Sequence, residues 1–330
     1  MKNFEGKIAF ITGGASGAGL GQAKLFSKAG MKVVITDIRK AALDKAVPEI
    51  LAYSGRDEAD ILALEFDLTD REAYIKAADK TEEIFGGPPH LLIQTAGVNS
   101  FGPPEASTFE DFDWVMGVDL YAVVNGFVIF VPRMIKAYAN KTDCHIAITS
   151  SWAGWQGDPI AAPYAASKAA VNNLSETYYM ALKPYGIGVT TITPMAINTE
   201  IYDAEKYRPE NFSNSGYYWT DELAAVMKEQ CETGMDPVTL AEHLKRGIEA
   251  EQLFVVPYDN YYEMIGKVND RRINLASPEG MAKEAAAEKY REENKVGEMD
   301  KGAFHEKAKP LGFGTARADL DWVDERKKRV

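Results

Sequence analysis

The chain has 330 residues, 46% of them hydrophobic, so it can bury a large single core. A net charge of −12 argues against nucleic acid as a partner. The start shows no basic, apolar signal segment, no apolar run reaches about 18 residues, and the two cysteines suit a reducing compartment, so we expect a cytoplasmic protein without a membrane partner.

The first predicted strand leads into a glycine-rich turn. Residues 7–12 are a short apolar run of buried-strand type, residues 13–21 contain five glycines, and a helical pattern covers residues 22–29. This order is typical of a dinucleotide site, in which backbone and helix N-terminus face the pyrophosphate. The alternative is a turn that only packs a helix against a sheet. The predicted coenzyme contacts are Gly13, Ser16, Gly17, Gly19 and Leu20.

The second predicted strand, residues 32–36, ends in Asp37. An acidic side chain at this position can accept hydrogen bonds from both ribose hydroxyls, and its charge repels a 2′-phosphate. This favours NAD(H) over NADP(H). Arg39 is a counter-argument, because a guanidinium there can receive a phosphate.

The third predicted strand, residues 61–66, ends at Asp67 and Leu68. From that position Asp67 can meet the adenine amino group, and Leu68 can touch the adenine ring. The alternative is a helix cap before the helical run 71–85. Both interpretations can hold together.

Ser151, Tyr164 and Lys168 follow the predicted strand at residues 145–150. A tyrosine titrates near pH ~10, but a lysine one turn further along the same helix face stabilises its phenolate. This spacing alone is usually a pair of surface neighbours. With Ser151 thirteen residues upstream of Tyr164 and the glycine turn ahead, it predicts a hydride-transfer site.

In these motifs the chain resembles the short-chain dehydrogenase/reductase family in its compact form, over about residues 5–257. The pattern Thr-Gly-x-x-x-Gly-x-Gly at residues 12–19 matches the coenzyme loop of that family, and the serine, tyrosine and lysine match its catalytic residues. Alternating strand and helix patterns, with further strands near residues 91–93, 188–193 and 253–256, agree with it. We expect an α/β Rossmann fold, a doubly wound parallel sheet of about seven strands.

The resemblance also implies the roles of the site residues. Tyr164 would exchange a proton with the substrate oxygen, and Ser151 would hold that oxygen. Lys168 would bind the nicotinamide ribose of NAD and keep the pKa of the tyrosine low. No metal is implied, and the four histidines and two cysteines form no ligand cluster in the sequence.

Three positions depart from the family pattern. Residues 94–97 read Gln-Thr-Ala-Gly in place of Asn-Asn-Ala-Gly, which keeps Ala96 and Gly97 as coenzyme contacts. Asp119 replaces the family's asparagine in the central helix, where a local helix distortion places a backbone carbonyl on the proton path. We predict that Asp119 is a catalytic relay residue and that Val118 lines the nicotinamide pocket.

The third departure follows the sixth predicted strand, where Pro194 and Met195 replace the family's Pro-Gly pair. Pro194 still turns the chain, Ile197 still offers its backbone to the nicotinamide carboxamide, and Thr199 supplies the expected hydroxyl. Met195 adds an apolar side chain beside the substrate.

Residues 200–235 form the predicted helical lid over the substrate, and this segment is rich in aromatic residues. It suggests a bulky apolar alcohol or ketone, a hydroxysteroid first and an aryl-propane alcohol of the lignin-dimer type as the alternative. A non-catalytic NAD-binding sensor is a further alternative, as is a dehydratase or epimerase that uses Asp119 or Asp158. The predicted substrate contacts are Trp152, Met195 and Tyr202.

The chain continues beyond the family's compact length. We divide it into a dehydrogenase domain, residues 1–257, and a helical C-terminal extension, residues 258–330, which is predicted to pack on a partner subunit or to cover part of the substrate entrance. Its predicted helices are 258–273 and 278–294. By resemblance we expect a homotetramer, or else a homodimer, formed through the long helices.

Overall fold

The computed structural model describes residues 1–217 and 221–294. Seven parallel strands form one sheet in the order β3-β2-β1-β4-β5-β6-β7. The strands are β1 Ile8–Thr12, β2 Lys32–Asp37, β3 Ile61–Glu65, β4 Leu91–Gln94, β5 Cys144–Thr149, β6 Ile187–Ile192 and β7 Phe254–Val255. The predicted seven-stranded α/β fold is confirmed.

Helices cover both faces of the sheet, which is why its central strands read as unbroken apolar runs. The helices are α1 Gly17–Lys28, α2 Lys40–Ser54, α3 Arg71–Phe85, α4 Phe109–Met116, α5 Ala122–Tyr138, α6 Ala162–Leu182, α7 Asp221–Glu232, α8 Pro237–Glu249, α9 Tyr261–Leu275 and α10 Pro278–Asn294. Phe26 of α1 and Leu244 of α8 pack in the core on one face, and Phe130 of α5 and Val171 of α6 on the other. The order of the strands reverses between β1 and β4, so the carboxyl ends of these strands open a crevice.

Helices α4 and α5 are joined by a π-helical turn, Gly117–Tyr121, into one long helix. Among the described residues this stretch, Phe109–Tyr138, is long and apolar enough to span a membrane by length and composition, so our expectation of no such run is wrong. More than half of its most apolar part is buried within the protein. A helix with so apolar a composition is found either in the core of a protein or across a membrane, and the two cannot be separated by composition alone.

The segment after β6 is helical only in part. It contains two 3₁₀ helices, Ile201–Tyr207 and Glu210–Phe212, and then α7. Two aromatic residues of the predicted lid, Tyr218 and Trp219, lie outside the described residues, as does the chain after residue 294.

The first part of the C-terminal extension contacts the rim of the crevice. The Tyr258 hydroxyl accepts a hydrogen bond from the N–H of Met195 at 2.7 Å, and the Arg272 guanidinium of α9 donates to the carbonyl of Trp155. The extension therefore lies next to the loops where we predicted substrate contacts.

Candidate active site

The glycine turn after β1 forms a cradle that side chains would fill. Gly13 and Gly17 have φ of +65° and +49°, in the left-handed region that favours glycine. A Cβ on Gly13 would stand 2.8 Å from Cα of Ala96, and one on Gly19 would overlap the carbonyl of Gly13. Ser16 precedes α1 without a side-chain capping bond, so its hydroxyl does not occupy the first N–H groups of the helix. This geometry fits the pyrophosphate of a dinucleotide.

A charged corner lies beside this cradle at the end of β2. Both carboxylate oxygens of Asp37 accept hydrogen bonds from the Arg39 guanidinium, at 2.9 and 3.0 Å. Arg39 also donates to the hydroxyl of Ser16 at 2.7 Å. The hydrogen bond to Asp37 raises the pKa of Arg39. The Arg39 guanidinium, which could have received a 2′-phosphate, is thus already paired with Asp37.

The loop after β3 lies next to Asp37, because β3 pairs with β2 and the N–H of Phe66 donates to the carbonyl of Asp37 at 3.2 Å. Asp67 accepts hydrogen bonds from the N–H and the hydroxyl of Thr69, both at 2.8 Å, and Leu68 is buried beside it. The cap of α3 is Asp70, which accepts from the N–H groups of Glu72 and Ala73. The helix cap that we considered for this loop therefore falls on Asp70 and does not occupy Asp67.

The loop after β4 passes directly over the glycine turn. The Thr12 hydroxyl accepts the N–H groups of Thr95 and Ala96 at 2.9 and 3.2 Å. The Thr95 hydroxyl donates to Gln22 at 2.6 Å. These bonds hold Ala96 and Gly97 against the cradle, so the change from the family's asparagine to Thr95 preserves the backbone path.

The structure brings Ser151, Tyr164 and Lys168 together. The ammonium of Lys168 lies 5.3 Å from the centroid of the Tyr164 ring, and the Ser151 side chain acts to lower the pKa of that tyrosine. Ser151 caps a 3₁₀ helix, Trp152–Gly154, by accepting the N–H of Ala153 at 3.1 Å. This cap positions the serine hydroxyl.

Asp119 lies in the π-helical turn and forms a buried ion pair with Lys168. Its Oδ2 atom is 3.0 Å from Nζ, with side-chain exposures of 0% and 4% for the aspartate and the lysine. Its Oδ1 atom accepts the N–H of Val98 at 2.8 Å. A Cβ on Gly97 would stand 3.1 Å from Oδ2 and 3.4 Å from Nζ, so the glycine leaves room for the pair. A π turn re-aims one side chain within a helix, which places this carboxylate at the site.

The three titrating groups shift one another. Burial raises the pKa of Asp119. Burial acts to lower the pKa of Lys168, but the charges of Asp119 and Tyr164 and the hydrogen bond to Asp119 together raise it. Burial also raises the pKa of Tyr164, the charge of Asp119 raises it further, and Lys168 and Ser151 lower it only in part. Lys168 lowers the pKa of Tyr164, in the direction that we expected, while burial and the charge of Asp119 act against it, and the net shift is upward.

The loop after β6 closes the other side of the crevice. The carbonyl of Pro194 accepts the N–H of Trp152 at 2.8 Å. Ile197 forms a β-bridge with Met235. The two hydrogen bonds of this bridge use the carbonyl of Ala196 and the N–H of Asn198, so the N–H of Ile197 takes part in neither. The methyl of Thr199 lies against Gly17, at 2.8 Å from where a Cβ would be.

Apolar side chains surround the Tyr164 ring on two sides. One cluster contains Phe101, Ile160, Ala161 and Met227, with Tyr164 and the predicted substrate residue Tyr202 packed against it. The other contains Trp114, Val115 and Ala204, with Tyr164, Val98, Val118 and Phe212 packed against it. Val118 therefore lies in the wall beside the tyrosine, while Met195 stands at the rim, 40% exposed.

The sequence analysis did not predict a network of buried charges that ties the substrate segment to helix α4. Arg208, 6% exposed, pairs with Asp111 at 3.0 Å and with Glu205 at 2.7 Å. Its guanidinium carbon lies 4.3 Å from the Trp114 ring centroid, and it also donates to the hydroxyl of Ser100 at 2.7 Å. Asp111 is far away in the sequence, so no local spacing pointed to this pair.

We expect Arg208→Lys to lower the free energy of unfolding by about 1–2 kcal/mol, because an ammonium cannot replace the planar fork that contacts two carboxylates and a ring. Chemical denaturation measures this. The matched control is Arg133→Lys, whose more exposed pairs with Asp79 and Glu82 predict a change below about 0.5 kcal/mol. Equal effects at the two positions would contradict the importance of the buried network.

Within the described residues, no group of three or more His, Cys, Asp or Glu side chains is placed to hold a metal ion. The groups that gather at the crevice are instead a phosphate cradle, an acidic strand tip and a buried tyrosine with a lysine. This combination on a doubly wound sheet is typical of coenzyme-dependent oxidoreductases.

The chain belongs to the short chain dehydrogenase family, whose sequence profile matches residues 7–209. It is 45% identical over 278 residues to a C alpha-dehydrogenase from Sphingobium sp. strain SYK-6, covering 84% of this chain and 89% of that protein. It is 35% identical over 196 residues to the 2,5-dichloro-2,5-cyclohexadiene-1,4-diol dehydrogenase LinX from Sphingobium indicum, covering 59% and 75%.

Two solved structures are also similar. The LigD apo form from Sphingobium sp. strain SYK-6 has a TM-score of 0.68 at 41% identity, covering 83% of this chain and 99% of that one. A short chain dehydrogenase/reductase from Burkholderia phymatum in complex with NAD has a TM-score of 0.74 at 29% identity, covering 84% and 96%. Family membership and these relatives confirm the prediction of an NAD-dependent dehydrogenase or reductase.

Proposed function

We propose that this protein oxidises a secondary alcohol on an aryl-propane substrate of the lignin-dimer type to the ketone, with NAD⁺ as the coenzyme. The observation that carries this proposal is the 45% identity to a C alpha-dehydrogenase over 84% of the chain. The aromatic and aliphatic walls around Tyr164 suit a bulky ring-containing substrate. A hydroxysteroid, our first choice from the sequence, fits the same walls but lacks this support, and it becomes the second candidate.

The crevice provides contacts for each part of NAD. The glycine turn would hold the pyrophosphate, Asp37 the adenosine ribose, and Asp67 with Leu68 the adenine. Ile197 and Thr199 would hold the carboxamide end, from the loop that contacts Gly17 of the cradle. When it is bound, NAD⁺ accepts the hydride from the carbinol carbon.

The protein's own residues handle the proton of the alcohol. Tyr164, as phenolate, takes the hydroxyl proton while the O–H bond breaks and the carbonyl forms. Ser151 donates a hydrogen bond to the substrate oxygen and orients it. Lys168 holds a positive charge 5.3 Å from the tyrosine ring, which stabilises the phenolate.

Asp119 would act through Lys168. The carboxylate keeps the buried ammonium charged, and its fixed bond to the N–H of Val98 sets the position of the lysine head. We propose it as a relay and positioning residue, in place of the family's asparagine.

The alternatives from other classes have less support. A sensor that had lost its chemistry would not need a serine and a lysine that both act on the pKa of Tyr164. A dehydratase or epimerase needs another free acid or base beside the tyrosine, whereas Asp158 accepts the N–H of Ile160 at 3.0 Å and Asp119 is paired.

The assignments of residues 1–257 as the dehydrogenase domain and 258–330 as the extension remain proposals. We also propose a cytoplasmic homotetramer or homodimer, with the long helices α5 and α6 at the contact. Sedimentation or light scattering of the purified protein tests the assembly.

Absorbance at 340 nm with NAD⁺ or NADP⁺ tests the proposed function. The panel contains an aryl-propane dimer with a benzylic alcohol, a hydroxysteroid and a small sugar alcohol. We expect kcat/KM for the aryl-propane alcohol with NAD⁺ to exceed every other combination by at least about tenfold, because each lost pocket contact is worth about 1–3 kcal/mol. A preference for the steroid would favour the second candidate, and a preference for NADP⁺ would mean that Arg39 outweighs Asp37.

A further inference from the structure

The start of the substrate segment lies across the proposed coenzyme cradle. At one end, the methyl of Thr199 rests against Gly17 of the glycine turn. The chain then forms the 3₁₀ helix Ile201–Tyr207. At the other end, the Tyr207 ring covers the guanidinium of Arg39, with 4.8 Å between the guanidinium carbon and the ring centroid.

Arg39 connects Tyr207 to Asp37 and Ser16, the charged corner beside the glycine turn, which we call the coenzyme corner. It is held in the plane of the Asp37 carboxylate by two hydrogen bonds and it reaches Ser16 of the cradle with a third. A guanidinium engaged by its edges still offers its face for stacking on an aromatic ring. The Tyr207 ring therefore contacts the guanidinium that is bonded to Asp37 and Ser16, the side chains that would face the adenosine ribose and the pyrophosphate.

The inner part of the same segment is anchored in the substrate pocket. Ala204 packs with Trp114 in the wall beside Tyr164, and Glu205 accepts hydrogen bonds from Ser100 at 2.5 Å and from Arg208 at 2.8 Å. Tyr207 remains 41% exposed and points away from this anchor towards Arg39. One short helix thus contributes to both the substrate wall and the coenzyme corner.

We propose that Tyr207 is a coenzyme-positioning residue supplied by the substrate segment. Its ring holds Arg39 against Asp37 and fixes the segment over the adenosine and pyrophosphate half of NAD(H), so release of the coenzyme requires the Tyr207–Arg39 contact to break. This inference rests on the coenzyme site of the proposed function. Because one segment contacts both sites, any change that coenzyme binding makes in the affinity for alcohol must be matched by an equal change that alcohol binding makes in the affinity for coenzyme.

The test is the dissociation rate of NADH from the full chain without any alcohol, followed by stopped-flow NADH fluorescence. We expect Tyr207→Leu to raise this rate about fivefold, as loss of a partly exposed cation–π contact predicts. Tyr207→Phe keeps the ring and should stay within about twofold of the unchanged protein. The matched control is Lys206→Gln: this lysine also approaches the ring, at 5.1 Å, but pairs with Asp203 and not with the coenzyme corner.

A double-mutant cycle with Arg39→Gln separates a specific contact from general loosening. If the contact exists, Tyr207→Leu should add less than twofold once Arg39 is replaced. The melting temperature of Tyr207→Leu should match that of the unchanged protein, since the side chain is largely exposed. An unchanged NADH dissociation rate in Tyr207→Leu, or full additivity with Arg39→Gln, would overturn this inference alone. Failure of the unchanged protein to bind NADH would overturn the proposed coenzyme site, and the inference with it.

Discussion

Replacement of Tyr164 by phenylalanine should lower kcat by about 10²–10⁴-fold while the affinity for NADH changes little. The ring keeps its place between the two apolar clusters, and only the hydroxyl that exchanges the substrate proton is lost. Steady-state oxidation of the aryl-propane alcohol measures the first quantity, and NADH fluorescence titration measures the second. A sensor without chemistry would keep its ligand response in this variant.

The matched control is Tyr178→Phe on the same helix. The Tyr178 ring stacks on Phe127 at 3.8 Å, so this variant also loses one hydroxyl and keeps its ring packing. We expect its kcat to stay within about twofold of the unchanged protein, since surface-side changes away from the site have small effects. If Tyr164→Phe kept more than a tenth of the original kcat, Tyr164 would be excluded as the proton acceptor.

Replacement of Asp119 by leucine should lower kcat/KM by at least about 100-fold, because it leaves a buried ammonium without its counter-charge. Lys168 is 4% exposed, and burial then lowers its pKa until the proton that stabilises the phenolate is lost. Leucine keeps the branched shape of the side chain but cannot accept the N–H of Val98. Activity close to that of the unchanged protein would exclude a role for this carboxylate.

The Asp119→Asn variant separates charge from shape. Asparagine removes the charge, but its carbonyl oxygen can still accept hydrogen bonds from the N–H of Val98 and the Lys168 ammonium, so we expect a smaller loss of activity than in Asp119→Leu. The Asp119 charge raises the pKa of Tyr164, and its removal should lower that pKa. Since alcohol oxidation needs the deprotonated tyrosine, the rising limb of kcat/KM against pH should move to lower pH. Superimposable pH profiles for the two proteins would contradict the proposed electrostatic coupling.

Most of the scaffold was predictable because it depends on local patterns. Unbroken apolar runs flanked by helical patterns predicted the seven strands, and α3 and α10 have the bounds that we expected. Glycines with positive φ and the four-residue spacing of Tyr164 and Lys168 are likewise short-range features, set by backbone sterics and helix geometry.

Periodicity could not predict the environment of those residues. The apolar length of α4 and α5 was missed because a π turn and buried polar groups such as Asp119 interrupt the apolar pattern in the sequence. The sequence shows Lys168 beside Tyr164, but it shows neither the depth of burial nor the facing carboxylate, which raise the pKa of the tyrosine.

The amino-acid sequence alone was sufficient to predict the fold, the glycine turn and the residues that we propose to transfer the proton, because each is encoded over a few neighbouring positions. Only the tertiary structure decided the pairs that tune the site: Asp119 with Lys168, Arg208 with Asp111, and Tyr207 with Arg39. No spacing rule links such partners. They meet because parallel strands deliver their loops to one edge of the sheet, and burial at that edge makes each charge depend on the group opposite.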